Sequence, residues 1–498
     1  MSTPRPASRP VASTPARPTA ILTIICVSYF MVILDNSIIF TGLPSIQTTF
    51  GFSPTGLTWV QDAYTLVFGG LLLLGARAGD LVGRRRMFTL SLVLFSLASL
   101  LVGAAPTDWW LVTARALQGI GAAILAPSSL ALLTASFPAG AARNRAVAAY
   151  SAVAGIGASL GLVVGGVLAD WVSWRAGFYL NVPIGIAMLV AARRYIAETE
   201  TRRGRFDLVG AVCATVGVGA LVFGIIEAAE AGWTAPTTGA AFLLGILLLA
   251  ALGANEARAE QPIMPLRLFT DRHRNGAYLV RMLYLGAMIG FFFFTAQLLQ
   301  GAWGFTPFQA GLAFLPMSGV NFVVALLVTR LVARFGSTPV LATGVALTLV
   351  GMAWLSRVGA DGSYLTAVAL PMVLIGIGQG LAFAPMTTAG LAGAEQRDAG
   401  AASGVVNTAH QLGSALGLGI LTAVGTVAGP SGASATDALV ERVSAALTGG
   451  SVMLAAALVL VGVLIARPSR PNPPASVADA EPEARSAAAR DAVTVPAR

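Results

Sequence analysis

The sequence predicts an all-α polytopic membrane protein with 14 transmembrane helices, arranged as two pseudo-symmetric six-helix bundles plus two inserted helices. Three observations lead there: the composition, the spacing of the apolar blocks, and an internal repeat. Of the 498 residues, 56% are hydrophobic and 11% charged, with a mean hydropathy of +0.77. A soluble domain carries roughly 25% charged residues. A membrane-crossing helix needs about 20 apolar residues. The apolar blocks run over 20–40, 57–76, 87–105, 109–134, 146–169, 176–192, 207–228, 237–254, 275–299, 307–330, 338–356, 364–390, 399–425 and 448–466. Most are too long for strands and rich in glycine, which lets membrane helices approach closely.

The basic residues set the orientation. The formal charge is +9, and all 31 basic residues are arginine. With the N-terminus inside, 26 of them fall in inner loops and tails, which is the bias expected of cytoplasmic segments. That distribution explains the basic balance without nucleic acid. The eight tryptophans, Trp59, Trp109, Trp110, Trp171, Trp174, Trp233, Trp303 and Trp354, all fall at outer helix ends or in outer loops. An indole favours the membrane–water boundary, being apolar with one donor. Both termini are therefore expected in the cytoplasm, with the protein in the cell membrane.

The repeat divides the chain. Gly51-Phe52-Ser53-Pro54 returns as Gly304-Phe305-Thr306-Pro307, and Arg77 and Gly83 return at the same offset as Arg330 and Gly336. Gly157-Ala158-Ser159-Leu160-Gly161-Leu162 is matched by Gly413-Ser414-Ala415-Leu416-Gly417-Leu418. The expected organisation is a tail over 1–19, a six-helix bundle over 20–195, inserted helices over 196–256, a second bundle with its preceding cytoplasmic loop over 257–466, and a tail over 467–498. The Pro-, Ala- and Arg-rich tails are expected to be disordered. Parallel repeats with a site between them suit a secondary transporter, in which one half rocks against the other.

Four motifs carry a resemblance. Span 1 contains Leu34-Asp35-Asn36-Ser37, ending in Gly42-Leu43-Pro44. Arg77-Ala78-Gly79-Asp80-Leu81-Val82-Gly83-Arg84-Arg85-Arg86 joins spans 2 and 3. Span 4 contains Arg115-Ala116-Leu117-Gln118-Gly119. Span 5 carries Gly157, Gly161, Gly165 and Gly166, followed by Trp174-Arg175 and Asn181-Val182-Pro183. In this order the set resembles the major facilitator superfamily, specifically its fourteen-helix drug:proton antiporters of the EmrB/QacA-like group, over about residues 20–466. Two positions depart from that pattern: Ala76 stands where the loop motif begins with glycine, and Leu162 where the span 5 motif has proline.

The resemblance implies a proton-coupled exporter of a hydrophobic or cationic small molecule such as a drug or antibiotic. It would run on the proton gradient with no cofactor or metal and, as read here, would act as a monomer. A proton-coupled uptake symporter and a membrane sensor or lipid-handling protein are the alternatives. No GxxxxGK[ST] loop is present to bind nucleotide, and no nucleophile motif suggests an enzyme. Asp35 is the first candidate for proton coupling, because a mid-span carboxylate costs roughly 2.5–3.5 kcal/mol on insertion scales. Arg115 stays charged and can tune a carboxylate; the resemblance links it to proton transfer. Asp62, Gln118, His410 and Gln411 are candidates for the substrate cavity. Gly79, Asp80, Gly83 and Arg84 form a gating segment, whose glycines permit a tight turn. Gly157, Gly161, Gly165 and Gly166 form a helix-packing motif. Arg281 is expected to snorkel from the inner end of span 9. Of the run Phe291–Phe294, some rings are expected to face lipid.

Overall fold

A computed structural model describes residues 18–466, apart from 139, 199–200, 202–205, 260–261, 263, 360–361, 396–397 and 429–433. Among the described residues fourteen long helices follow one another: α1 Pro18–Phe50, α2 Thr58–Val82, α3 Arg84–Gly103, α4 Asp108–Ser136, α5 Ala141–Trp171, α6 Trp174–Tyr195, α7 Leu208–Glu230, α8 Pro236–Arg258, α9 Arg272–Ala302, α10 Pro307–Phe335, α11 Ser337–Leu355, α12 Leu365–Leu391, α13 Ala399–Ala428 and α14 Ala435–Ile465. Among the described residues, 13 are long and apolar enough to cross a membrane, and α5 adds the apolar stretch Ile156–Trp171. The expected tails lie outside the described residues, except that Pro18 and Thr19 already belong to α1. The last span starts earlier than its apolar block. Arg442, which precedes the last apolar block in sequence, lies on α14 against Gly425.

All eight tryptophans sit at helix ends or connections on one side, called here the tryptophan side; the arginine-rich connections lie on the other. The repeat is visible in the backbone. Gly51 and Gly304 both turn left-handed, with φ of 70° and 67°, and so do Gly83 and Gly336, with φ of 115° and 87°. A side chain at those angles clashes with its own backbone, so glycine is required at both copies of each turn.

Helices α1–α6 pack mainly on one another, and α9–α14 do the same. The α7–α8 hairpin lies along the seam where α2 meets α13, with Thr215 of α7 against Gly70. The Phe291–Phe294 run sits on α9, which is enclosed by α1, α12, α13 and α14. Phe291, Phe293 and Phe294 are buried, against the sequence expectation for most of the run, and Phe292 is half-buried against Phe40 of α1 and Phe314 of α10. A continuous aromatic run points all ways around a helix, and here neighbours cover three of its four rings.

The two bundles meet differently at their two ends. On the tryptophan side a continuous apolar cluster joins them. Phe40 of α1 stacks on Phe292 of α9 with centroids 5.5 Å apart, and Trp171 of α5 meets Phe308 of α10 at 5.6 Å. Gly166 lets α5 close on α10: a Cβ there would stand 2.5 Å from the Pro307 carbonyl oxygen. On the arginine side the first bundle has its own core around Phe88, Phe95 and Leu133. The second has a separate cluster around Leu268, Tyr278 and Val406. The α2–α13 seam continues beyond mid-span, where Thr408 donates to the Gly69 carbonyl at 3.3 Å and Leu73 fits against Gly404. The halves are thus joined by a continuous apolar cluster on the tryptophan side, while on the arginine side they touch along the α2–α13 seam.

Gly166→Leu is expected to wedge the tryptophan-side seam open. With Cys26 and Cys213 replaced by serine and Phe40→Cys as reporter, a membrane-impermeant maleimide applied from the tryptophan side should label several-fold faster in the leucine variant. Equal labelling rates would show that the α5–α10 contact does not hold the seam.

Candidate functional site: a buried ion pair

Helix α1 carries one acidic residue, Asp35, near its middle. Helix α4 brings Arg115 to it about 10 Å, or seven residues, inside its tryptophan-side end. Both side chains have no exposure. Arg115 Nη1 donates to Asp35 Oδ2 at 2.8 Å, and Arg115 Nε donates to the Val60 carbonyl of α2 at 3.0 Å. The guanidinium also lies over the Tyr64 ring at 4.3 Å and nearer the edge of reach of Phe178 at 5.8 Å. A desolvated cation over an aromatic face gains up to about 2 kcal/mol.

Polar neighbours complete the arrangement. Gln118, one turn along α4, accepts from Arg115 Nη1 at 2.7 Å and donates to Asp35 Oδ1 and to Ser99 Oγ of α3, each at 2.8 Å. Asn181 of α6 donates to Asp35 Oδ1 at 2.7 Å and to Ser99 Oγ at 3.3 Å. The carboxylate therefore takes hydrogen bonds from α4 and α6 while Ser99 ties in α3. Arg115 Nη2 and Asn181 Oδ1 have no partner among the described residues. Beside this set, Gln61 of α2 donates to Asn36 Oδ1 of α1 at 2.9 Å.

The glycines of α5 bring α1 close behind the ion pair. A Cβ at Gly161 would stand 2.5 Å from Ser37 Cβ and 3.0 Å from the Leu34 carbonyl oxygen; one at Gly165 would stand 2.7 Å from Ile38 Cα. Gly157 meets Phe30 and Ile33. The stripe thus flanks Asp35 on its own helix, and Gly166 turns instead to α10.

The segment between α2 and α3 is held within the first bundle. Arg84 donates to Asp80 Oδ1 from Nη2 at 3.0 Å and from Nε at 3.3 Å, and to the Ala131 carbonyl of α4 at 3.1 Å. Gly79 accepts the Gly83 amide at 3.2 Å. Glu198, just past α6, receives the Arg85 and Arg86 amides at 3.0 and 3.1 Å. It caps the start of α3, where an anion is favoured by the exposed amides and the helix dipole.

The remaining candidates lie elsewhere. Asp62 has no exposure, and neither carboxylate oxygen has a hydrogen-bond partner among the described residues. In this conformation it is enclosed rather than lining an open cavity. Gln411 packs at the α2–α13 crossing against Gly69. His410 is part of a second cluster with Arg281 and Thr387. Arg281 does not snorkel: it is 3% exposed and turned into the protein. Ser99, Asn181 and Glu198 were not singled out from sequence. Asn181 stands in a quoted motif, so a signal for it existed; a lone serine in a span and a glutamate after one carry no comparable signal.

Removing one partner leaves an uncompensated buried charge. Asp35→Asn or Arg115→Gln alone should each destabilise the protein by about 3–5 kcal/mol, and the double variant should recover a large part of that loss. Unfolding in mixed micelles measures all three; strictly additive losses would show that the two groups are not coupled.

Comparison with known proteins agrees with this architecture. Residues 25–418 match the family model of the Major Facilitator Superfamily. The chain is 40% identical to the cephamycin export protein CmcT of Amycolatopsis lactamdurans, over 92% of this chain and 94% of that one. It is 38% identical to the puromycin resistance protein pur8 of Streptomyces alboniger, over 89% and 90% of the two chains. The multidrug resistance protein Stp of Mycobacterium tuberculosis is 36% identical over 82% of this chain and 76% of its own. Among solved structures, a bacterial homologue of the human lysosomal transporter Spinster superposes with a TM-score of 0.65 at 16% identity, over 91% and 97% of the chains. Paired bundles, an inserted hairpin and a family match across most of the length lead to one conclusion: this chain is a multi-pass membrane protein of the Major Facilitator Superfamily.

Proposed function

We propose that the protein is an efflux transporter that exchanges small molecules for protons by alternating access. The similarity to export and resistance proteins over nearly the whole chain supports export. The observation that carries the coupling is the buried Asp35–Arg115 pair. A proton and Arg115 compete for one carboxylate. With Asp35 ionised, the pair holds α1 to α4. With Asp35 protonated, the attraction is lost and Arg115 is left seeking another partner. A change of that kind, made between helices of one bundle, can bias which side of the protein is closed.

On this reading the termini are cytoplasmic, in keeping with the arginine distribution, and the described conformation faces inward. Substrate enters between residues 20–195 and 257–466 from the cytoplasm. The bundles then close on the arginine side as the tryptophan-side seam opens, and a proton from outside binds Asp35 and is released inside on return. The inserted helices of 196–256 cover the α2–α13 seam, which stays in contact throughout. Gly79, Asp80, Gly83 and Arg84 serve as the inner gate. In the described conformation Arg84 holds Asp80 and the Ala131 carbonyl of α4, contacts that a movement of α2 or α4 would have to change. The transporter works as a monomer and needs no cofactor beyond the proton gradient.

Everted membrane vesicles test this. In energised vesicles, an accumulated substrate should release protons from the lumen, and collapse of the pH gradient and potential should stop uptake. Asp35→Asn should abolish proton release and gradient-driven uptake alike. Uptake that drives protons into the lumen would indicate symport, and transport unaffected by collapse of the gradient would rule out proton coupling.

A further inference from the structure

The second bundle holds a buried cation that the ion pair does not explain. Arg281 on α9 is 3% exposed. Its Nη1 donates to Thr387 Oγ1 of α12 at 2.9 Å, and its Nη2 to His410 Nδ1 of α13 at 3.3 Å. For Nδ1 to accept, the imidazole must be neutral with its proton on Nε2. The guanidinium lies over the Phe383 ring at 4.7 Å. Its Nε has no hydrogen-bond partner among the described residues. All these contacts are neutral, and none of the ion pairs among the described residues includes Arg281.

Arg115 and Arg281 thus differ in kind. The first has a carboxylate; the second has a hydroxyl, an imidazole and a ring. Desolvating a guanidinium costs several kcal/mol, and neutral contacts return only part of it. An intramembrane ionisable residue in this position is best explained by an absent partner of opposite charge.

The surroundings show where that partner comes from. Phe383 and Thr387 lie on a face of α12 that also exposes Ala384 and Thr388. Helix α9, which carries Arg281, packs against α1 of the opposite bundle and brings Tyr29 within electrostatic range of the guanidinium. Tyr29 stacks on Tyr150 of α5, with centroids 4.1 Å apart and planes 13° from parallel. Arg281, with the Thr387 hydroxyl and the Phe383 ring on it, therefore stands on the side of the second bundle that faces α1. The acidic groups that could make this space attractive to a cation are elsewhere: Asp35 is neutralised by Arg115, and Asp62 is enclosed at the tryptophan-side end of α2.

We propose that Arg281, with Thr387 and His410, binds an acidic group on the exported molecule, a carboxylate or another singly charged anion, while Tyr29, Tyr150 and Phe383 pack on its apolar or aromatic part. This rests on the exporter reading and puts an anionic amphiphile in place of the hydrophobic or cationic molecule expected from sequence. The guanidinium supplies N–H donors that a carboxylate can take in pairs, and Nε is already free for one of them.

Binding in lipid nanodiscs tests this with the full chain and no gradient. The probes share one aromatic body: dansylglycine is a carboxylate, its amide is neutral, and dansylcadaverine is an ammonium. Wild type should bind dansylglycine about tenfold or more tightly than the amide, as expected for hydrogen bonds to a charged group. Arg281→Gln should remove that preference, Arg281→Lys should restore part of it, and Thr387→Val should weaken dansylglycine several-fold while changing amide binding little. Retained amide binding reports that a variant is folded; if Arg281→Gln is not, the lysine and Thr387→Val variants decide. Equal or tighter binding of dansylcadaverine by wild type, no binding of dansylglycine at millimolar concentration, or an unchanged preference in the variants would overturn the proposal. A failure of the exporter reading would show instead in the vesicle measurement, with the binding preference intact.

Discussion

A carboxylate and a guanidinium that share no water constrain the whole first bundle. Asp35 and Arg115 are worth keeping in an apolar core only while each answers the other. That requirement aligns α1 with α4. Gln118, Asn181 and Ser99 then extend it to α6 and α3, and the Arg115 Nε bond to the Val60 carbonyl extends it to α2. Five helices are thus set against one another around a single charge pair. Low dielectric makes the network stiff when satisfied and unstable when one member changes charge. The same property suits it to couple a proton to a movement.

Movement needs surfaces that can separate or pivot as well as a switch. Here glycine supplies them. Behind the ion pair, Gly161 and Gly165 let α1 and α5 meet at backbone distance, and Gly166 does the same between α5 and α10 across the bundles. A contact made by backbone and small side chains has little interdigitation to undo. On the arginine side the cluster around Phe88, Phe95 and Leu133 belongs to the first bundle alone, and the one around Leu268, Tyr278 and Val406 to the second alone. Closing that side therefore requires no repacking of either interior. The cost and gain fall on the seam alone.

The two bundles came from one repeat but hold opposite charge problems. In the first, an acid and a base cancel. In the second, Arg281 is surrounded by neutral groups and turned toward the opposite bundle. On the proposed reading, the first bundle handles the proton and the second handles the charged end of the substrate. The pseudo-symmetry of the backbone, with its paired left-handed glycines, is kept while the polar residues inside have diverged.

Much of the fold was legible along the chain, because spans, turns and sides are local properties. Block length gave the helices, since a bilayer demands about 20 apolar residues whatever their neighbours. Tryptophan and arginine gave the sides, because each reports the medium around its own helix end. Gly51 and Gly304, or Gly83 and Gly336, could be matched because a left-handed turn needs glycine wherever it occurs. Asp35 and Arg115 could each be singled out, since a charge in a span is conspicuous by itself. What joins them is not local. That Arg115 meets Asp35 some 80 residues away, that Gln118 and Asn181 share one carboxylate oxygen and the Ser99 hydroxyl, that Phe291, Phe293 and Phe294 are all buried, and that Arg281 turns inward instead of snorkelling depend on how helices cross. In an apolar chain every face of a helix looks alike to a pattern; only packing decides which face meets a partner, which meets lipid and which meets the cavity.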